Sequence, residues 1–138
     1  MIITHENEAL AGVIDSPAVK NAAMKVLVGP QQDWSDCVMR IVEVGAEGFS
    51  PKHAHPWPHI NYMVEARGIL EIDGREHPAE QGSYAFIPAG CEHQFRNTGA
   101  GKFRSSASCP RKGTTNRSDS IEADLEKQIA RRYQFPII

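Results

Sequence analysis

The chain reads as an all-β protein, a sandwich or barrel of short strands. Two observations lead there. Between Met24 and Gly99, brief runs of β-branched, aromatic and aliphatic residues recur, each closed by a Gly or Pro turn signal. No apolar pattern of helical period longer than two turns occurs before residue 118. Strands this short at such even spacing form antiparallel sandwiches or barrels.

The elements follow in order. Met24–Val28 is the first extended run, ended by Gly29-Pro30. Cys37–Val44 is the second, with Gly45 and Gly48 after it. Ile60–Val64 and Ile69–Ile72 come next, and Asp73-Gly74 then predicts a tight hairpin, because both residues tolerate positive φ. Gly82 opens the way into Tyr84–Ile87, and Ala89-Gly90 closes that run. Residues 1–23 form an N-terminal arm, 24–104 the barrel and 105–138 a polar C-terminal tail. Ser105–Ser120 is polar and basic and reads as loop. Ser120–Tyr133 carries Ile121, Leu125 and Ile129 at helical spacing with Ser120 as N-cap, which leaves a terminal helix packed on the barrel or an unstructured end as alternatives.

Composition narrows the function classes. A chain of 138 residues suits one domain with a core of its own. The net charge of −2 argues against nucleic acid and anionic membranes as partners. No apolar run reaches the ~18 residues that a spanning helix needs. Three cysteines, Cys37, Cys91 and Cys109, lack CxxC spacing, so a reducing, cytoplasmic setting is expected rather than a disulfide framework.

Two stretches carry chemistry. The first is His53-Ala54-His55-Pro56-Trp57-Pro58-His59. In an extended segment His53 and His55 point to one face, roughly 6.5–7 Å apart, and can aim at one ion. Pro56 and Pro58 stiffen the corner so that His59 reaches the same point. The second stretch sets Gly82, Pro88, Gly90, His93 and Asn97 at fixed offsets. Pro88 and Gly90 turn the chain tightly, His93 then points inward, and Asn97 can bond backbone at the strand's end. Neutral imidazole is the commonest biological metal ligand.

The second stretch meets, at every position, the Gly-x5-Pro-x-Gly-x2-His-x3-Asn motif, and here the chain closely resembles the cupin family. The first cupin motif, Gly-x5-His-x-His-x3,4-Glu-x6-Gly, is met with departures. Gly48 stands one residue nearer to His53, His59 takes the glutamate position, and Ala66 takes that of the closing glycine, with Gly68 two residues on. The run His-x-His-Pro-Trp-x-His, below Val38-Met39-Arg40, looks most like a small single-domain subgroup with four histidine ligands, associated with manganese. The resemblance implies a jelly-roll β-barrel, a homodimer paired through sheet edges, and one divalent transition ion held by His53, His55, His59 and His93. Manganese or iron is the expected working metal, and nickel or zinc can displace them in a purified sample. No organic cofactor is implied.

Four neutral imidazoles leave the ion its full 2+ charge, a stronger Lewis acid than one with a glutamate ligand. The expected function is therefore a metal-dependent oxygenase or other oxidoreductase acting on a small organic substrate. The alternative is a non-catalytic module that binds a small molecule or metal. Asn61 and Met63 share the strand face of His59 by period-two alternation and should line the cavity. Arg40 is either a salt-bridged strand arginine or a cation facing the pocket. Trp57 is either a rim aromatic or a substrate platform. Cys91, two residues before His93, is a packed thiol or approaches the ion. His5 and His77 read as solvated surface histidines.

Cupins of this type close the barrel with an apolar strand reading like Phe-Ile-Cys-Ile-Val-Pro-Glu. The corresponding stretch here is Phe103-Arg104-Ser105-Ser106-Ala107-Ser108-Cys109-Pro110, which lacks large alternating apolar residues. Codons for Phe103–Gly113 exist that, regrouped in another frame, spell that apolar strand. A one-base deletion near Arg104 is therefore one origin for residues 105–138, and a true divergent tail is the other.

Overall fold

The computed structural model describes residues 1–9, 11–14, 16–34 and 36–110. Among these residues nine strands follow one another: β1 (Ala11–Val13), β2 (Lys20–Val28), β3 (Cys37–Phe49), β4 (His59–Glu65), β5 (Arg67–Ile72), β6 (Arg75–Glu80), β7 (Tyr84–Ile87), β8 (His93–Asn97) and β9 (Phe103–Pro110). Helical structure among the described residues is confined to two 3-10 turns, Glu6–Glu8 and Pro30–Gln32. The expected all-β class is correct. The expected terminal helix at Ser120–Tyr133 lies outside the described residues.

The strands form an almost closed jelly-roll barrel. Their order is β6-β5-β8-β3-β9-β4-β7, with β2 and β1 branching from β3. All pairings are antiparallel. The 13-residue β3 serves both layers. Its first two thirds pair with β2 and β9, and its last residue, Phe49, pairs with Arg96 of β8. Met63, Leu70, Ala79, Ile87, Phe95 and Phe103 fill the space between the layers. Burying a side chain of this size contributes about 1.5–3 kcal/mol.

The turn chemistry falls where the residues demand it. Asp73 and Gly74 take φ of 47° and 77°, and the ladder closes at Ile72↔Arg75, so β5 and β6 make the expected two-residue hairpin. Asn97 donates to Val44 O (2.8 Å) and Gly101 O (2.6 Å) and accepts from Gly99 N (2.8 Å). That ties the end of β8 to β3 and to the turn before β9. Gly68 lies so close to its neighbours that an added Cβ would meet Arg96 O at 2.5 Å.

The polar reading of Ser105 onward requires correction as far as Pro110. Phe103–Pro110 is a strand, β9, paired along its length with β3 and, from Arg104 to Ser108, with β4. Without β9, both neighbours would carry unpaired backbone groups inside the barrel, so the ladder outweighs the weak strand propensity of serine. The short side chains Ser105 and Ala107 are buried beneath it. The N-terminal arm is likewise part of the sheet: β1 pairs with β2, which begins at Lys20.

Candidate metal centre

The segment between β3 and β4 carries His53 and His55 and leads into His59, and side chains anchor it to β8. Ser50 N donates to Phe95 O (2.9 Å), Phe95 N donates to Ser50 Oγ (2.9 Å), and Gln94 Nε2 donates to Ser50 O (2.9 Å). His53 then pairs with His93 by two backbone hydrogen bonds, His53 N to His93 O (3.1 Å) and His93 N to His53 O (2.8 Å). Two histidines 40 positions apart thus sit side by side, their ring centroids 4.5 Å apart. Gly90, at φ 81°, donates its N–H to His55 O (2.9 Å), so the Pro88–Gly90 turn holds the third.

Ring tautomers are set by carbonyl oxygens. His53 Nδ1 lies 3.0 Å from Pro51 O, His55 Nδ1 2.6 Å from Trp57 O, and His93 Nδ1 3.0 Å from Cys91 O. A carbonyl only accepts, so each Nδ1 carries the proton and each Nε2 presents a lone pair. That is the arrangement that orients and polarises metal-bound histidine. One nitrogen from each of these three buried rings lies within 4.8 Å of the others.

His59, the first residue of β4, joins them from the facing strand. Its Nδ1 is 3.3 Å from His55 Nε2, and its ring lies 4.0 Å from that of His55 and 5.3 Å from that of His93. It stands outside the tight three-nitrogen group. Burial drives its pKa far below the usual histidine range, with further depression from the Arg40 charge and from the other three rings. His59 is therefore neutral at any ordinary pH. Its buried Nε2 has no hydrogen-bond partner among the described residues, so the site holds a nitrogen in need of a cation or a donor. Neutral nitrogen donors in a buried cluster fit a divalent transition ion. They do not suit magnesium or calcium, which take oxygen.

The other site residues fall into place. Arg40 is 2% exposed, inside the barrel, with Nη1 3.7 Å from Met24 Sδ. Asn61 and Met63 are each 1% exposed and face inward. Trp57 stacks on His55 at 5.0 Å with planes 8° apart, and its carbonyl fixes the His55 tautomer, so it positions a histidine from the rim. Cys91 is half-buried against the core; burial, then the Asp73 charge, push its thiol pKa upward. It stands outside the three-histidine group. His5 and His77 are exposed, as expected. Ser50 and Met24 gave no sequence signal, because their roles depend on strands distant in the chain.

Residues 40–105 match the cupin domain family model. The fold is that of the cupins. Among curated proteins, a dimethylsulfoniopropionate lyase, DddW from Ruegeria pomeroyi, is 32% identical over 92 residues, 66% of this chain and 60% of that protein. The chain thus spans less than two thirds of that relative's length. Among solved structures, the polyketide cyclase RemF from Streptomyces resistomycificus superposes with a TM-score of 0.74 at 22% identity, covering 91% of this chain and 94% of that one. A predicted oxalate decarboxylase from Thermotoga maritima superposes with a TM-score of 0.73 at 16% identity, covering 80% and 100%. At these identities the structures speak for the fold. No helix among the described residues is long and apolar enough to cross a membrane.

Proposed function

We propose that this cupin is a metal-dependent enzyme that transforms a small organic substrate inside its barrel, most simply as an oxygenase-type oxidoreductase. The observation that carries this reading is the set of three carbonyl-locked imidazoles whose lone-pair nitrogens converge, with the His59 ring beside that of His55. Manganese or iron is the proposed working metal. It would supply Lewis acidity and, with four neutral donors, keep its full charge. The protein's own part is orientation: carbonyls hold the rings, Trp57 backs His55, and Arg40 and Asn61 offer donors to a bound substrate. No carboxylate lies among the described buried side chains.

A second reading, a lyase, is favoured by the dimethylsulfoniopropionate lyase relative. One experiment separates the two. The protein is purified without chelators, its metal is quantified, and the manganese and iron forms are offered enolates, diketones, alkenylphenols and dimethylsulfoniopropionate, with and without oxygen. Oxygen consumption tied to product supports the oxygenase, and anaerobic cleavage supports the lyase. Absence of stoichiometric metal would sink both, and tight ligand binding without turnover under any metal would make this a binding module.

A further inference from the structure

We propose that Lys52 is a positioning residue of the metal centre, holding the His53 segment in place from outside the barrel through Glu71 and Glu92. This role presupposes the metal-centre reading and adds to it a device that keeps two of the histidines together. The topology creates the need. β8 is paired along its whole length with β5, from His93↔Ile72 to Asn97↔Gly68. On its other side, among the described residues, it pairs with β3 at one position, Arg96↔Phe49. Past that point the chain carrying His53 lies outside the named strands, and the isolated bridge His53↔His93 joins it to β8 by two hydrogen bonds. An isolated bridge opens more readily than a continued ladder, and each opening would draw His53 away from the ligand group.

The side chains next to the two histidines supply the restraint. Successive residues of extended backbone point to opposite faces, so Lys52 and Glu92 are exposed while His53 and His93 are buried. Lys52 Nζ stands 2.6 Å from Glu71 Oε1 and 3.5 Å from Glu92 Oε1. Glu71 belongs to β5 and lies opposite Gln94 of β8, so Lys52 reaches over the outer face of β8 to the strand beyond it. One ammonium thus ties together the His53 segment, the approach to β8, and β5. Both acids have a fixed backbone. Glu71 sits inside the β5–β8 ladder, and the Glu92 N–H donates to Asp73 Oδ1 (2.9 Å) while its carbonyl accepts from Asp73 N (2.8 Å). The Glu71 side chain is 16% exposed, so its neighbours already restrict it. Exposed ion pairs taken singly contribute little, whereas a cation shared by two carboxylates gives up its side-chain freedom once for both. Groups that hold a ligand from behind govern metal affinity beyond the donor atoms themselves.

The test uses the whole chain. Manganese affinity is measured by calorimetry, and amide hydrogen exchange at His53 and His93 is followed in the metal-free protein. Lys52→Glu faces two carboxylates and should weaken manganese by about tenfold or more, with exchange at both amides faster by a similar factor. Lys52→Met should do the same about threefold, and Lys52→Arg should stay within about twofold of wild type. In a chain already carrying Glu71→Gln and Glu92→Gln, Lys52→Met should add no further loss, because the partners are gone. Exchange in the β4–β9 ladder is the internal reference and should not change. The control Lys102→Glu makes the same charge change beside Glu43, near the Asn97 end of β8, and should leave both readouts as they are.

Lys52→Glu within about twofold of wild type in both readouts would overturn the role. So would an equal rise of exchange in the β4–β9 ladder, which is lost stability and not positioning, or an undiminished Lys52→Met loss in the chain lacking both carboxylates. If Lys52→Glu does not fold, Lys52→Met with and without the two carboxylates decides. Stoichiometric manganese whose affinity and bridge exchange ignore Lys52 would refute the role and leave the metal centre standing. A wild type that takes up no metal would sink the metal-centre reading and, with it, the proposed role.

Discussion

Replacing Asn97 tests whether the end of the second histidine stretch works as a clamp. The Asn97 side chain is buried and makes three hydrogen bonds, two donated to Val44 O and Gly101 O and one accepted from Gly99 N. At about 1 kcal/mol each, Asn97→Ala should cost roughly 3 kcal/mol. For a domain of this length that lowers Tm by roughly 10 °C. Asn97→Asp is the sharper probe. Its carboxylate keeps the bond from Gly99 N but faces two carbonyls, so at pH 7 it should destabilise more than alanine. That carboxyl would titrate above its unfolded value of about 3.9. Its penalty is therefore largest above the folded pKa and fades as pH falls through it, when the protonated acid can donate to one carbonyl. Urea unfolding of the three proteins between pH 7 and pH 5 measures this, with metal content taken in parallel. An aspartate variant as stable as wild type at pH 7, or one whose deficit does not shrink with acid, would show that the two donated bonds contribute nothing.

Other outcomes follow from the same geometry. His93→Ala should lose metal by more than 100-fold in affinity, because it breaks the group that the His53 backbone bridge organises. His59→Glu should keep the metal and lower its reduction potential, and equal metal loss in the two variants would refute this ranking. Ala66 sits at φ 62°, so Ala66→Gly should raise stability by about 1 kcal/mol in chemical denaturation, and no gain would mean that this turn is unstrained. Burial pushes the Glu43 pKa up, but Lys102, Lys25 and Arg104 outweigh it and hold the carboxylate below its ordinary value of 4.5. Its contribution is therefore present above about pH 4.5 and lost as pH falls further, so Glu43→Gln should flatten the acid limb of stability against pH. An unchanged limb would place the acid sensitivity elsewhere.

What the sequence determined by itself is local or periodic. Alternation placed His59, Asn61 and Met63 on one strand face, because successive residues of a strand point to opposite sides. Asp73-Gly74 and Pro88-x-Gly90 announced their turns, since few residues reach positive φ without strain. The histidine stretch was readable as a candidate metal site because ligands that share one ion need fixed spacing. Contacts between distant strands were decided only by the tertiary structure. Ser105–Pro110 has the composition of a loop, yet it is β9, because the backbone groups of β3 and β4 require a partner whatever its side chains. The orientation of Arg40 depended on a register with Ala107 and Asn61 across β9, which no single segment encodes. His53 came beside His93 through a backbone bridge across 40 residues, and the carbonyls that lock the three tautomers acquire their positions only from those crossings. Local chemistry chose the residues that make a site, and the packing of the layers chose which of them meet.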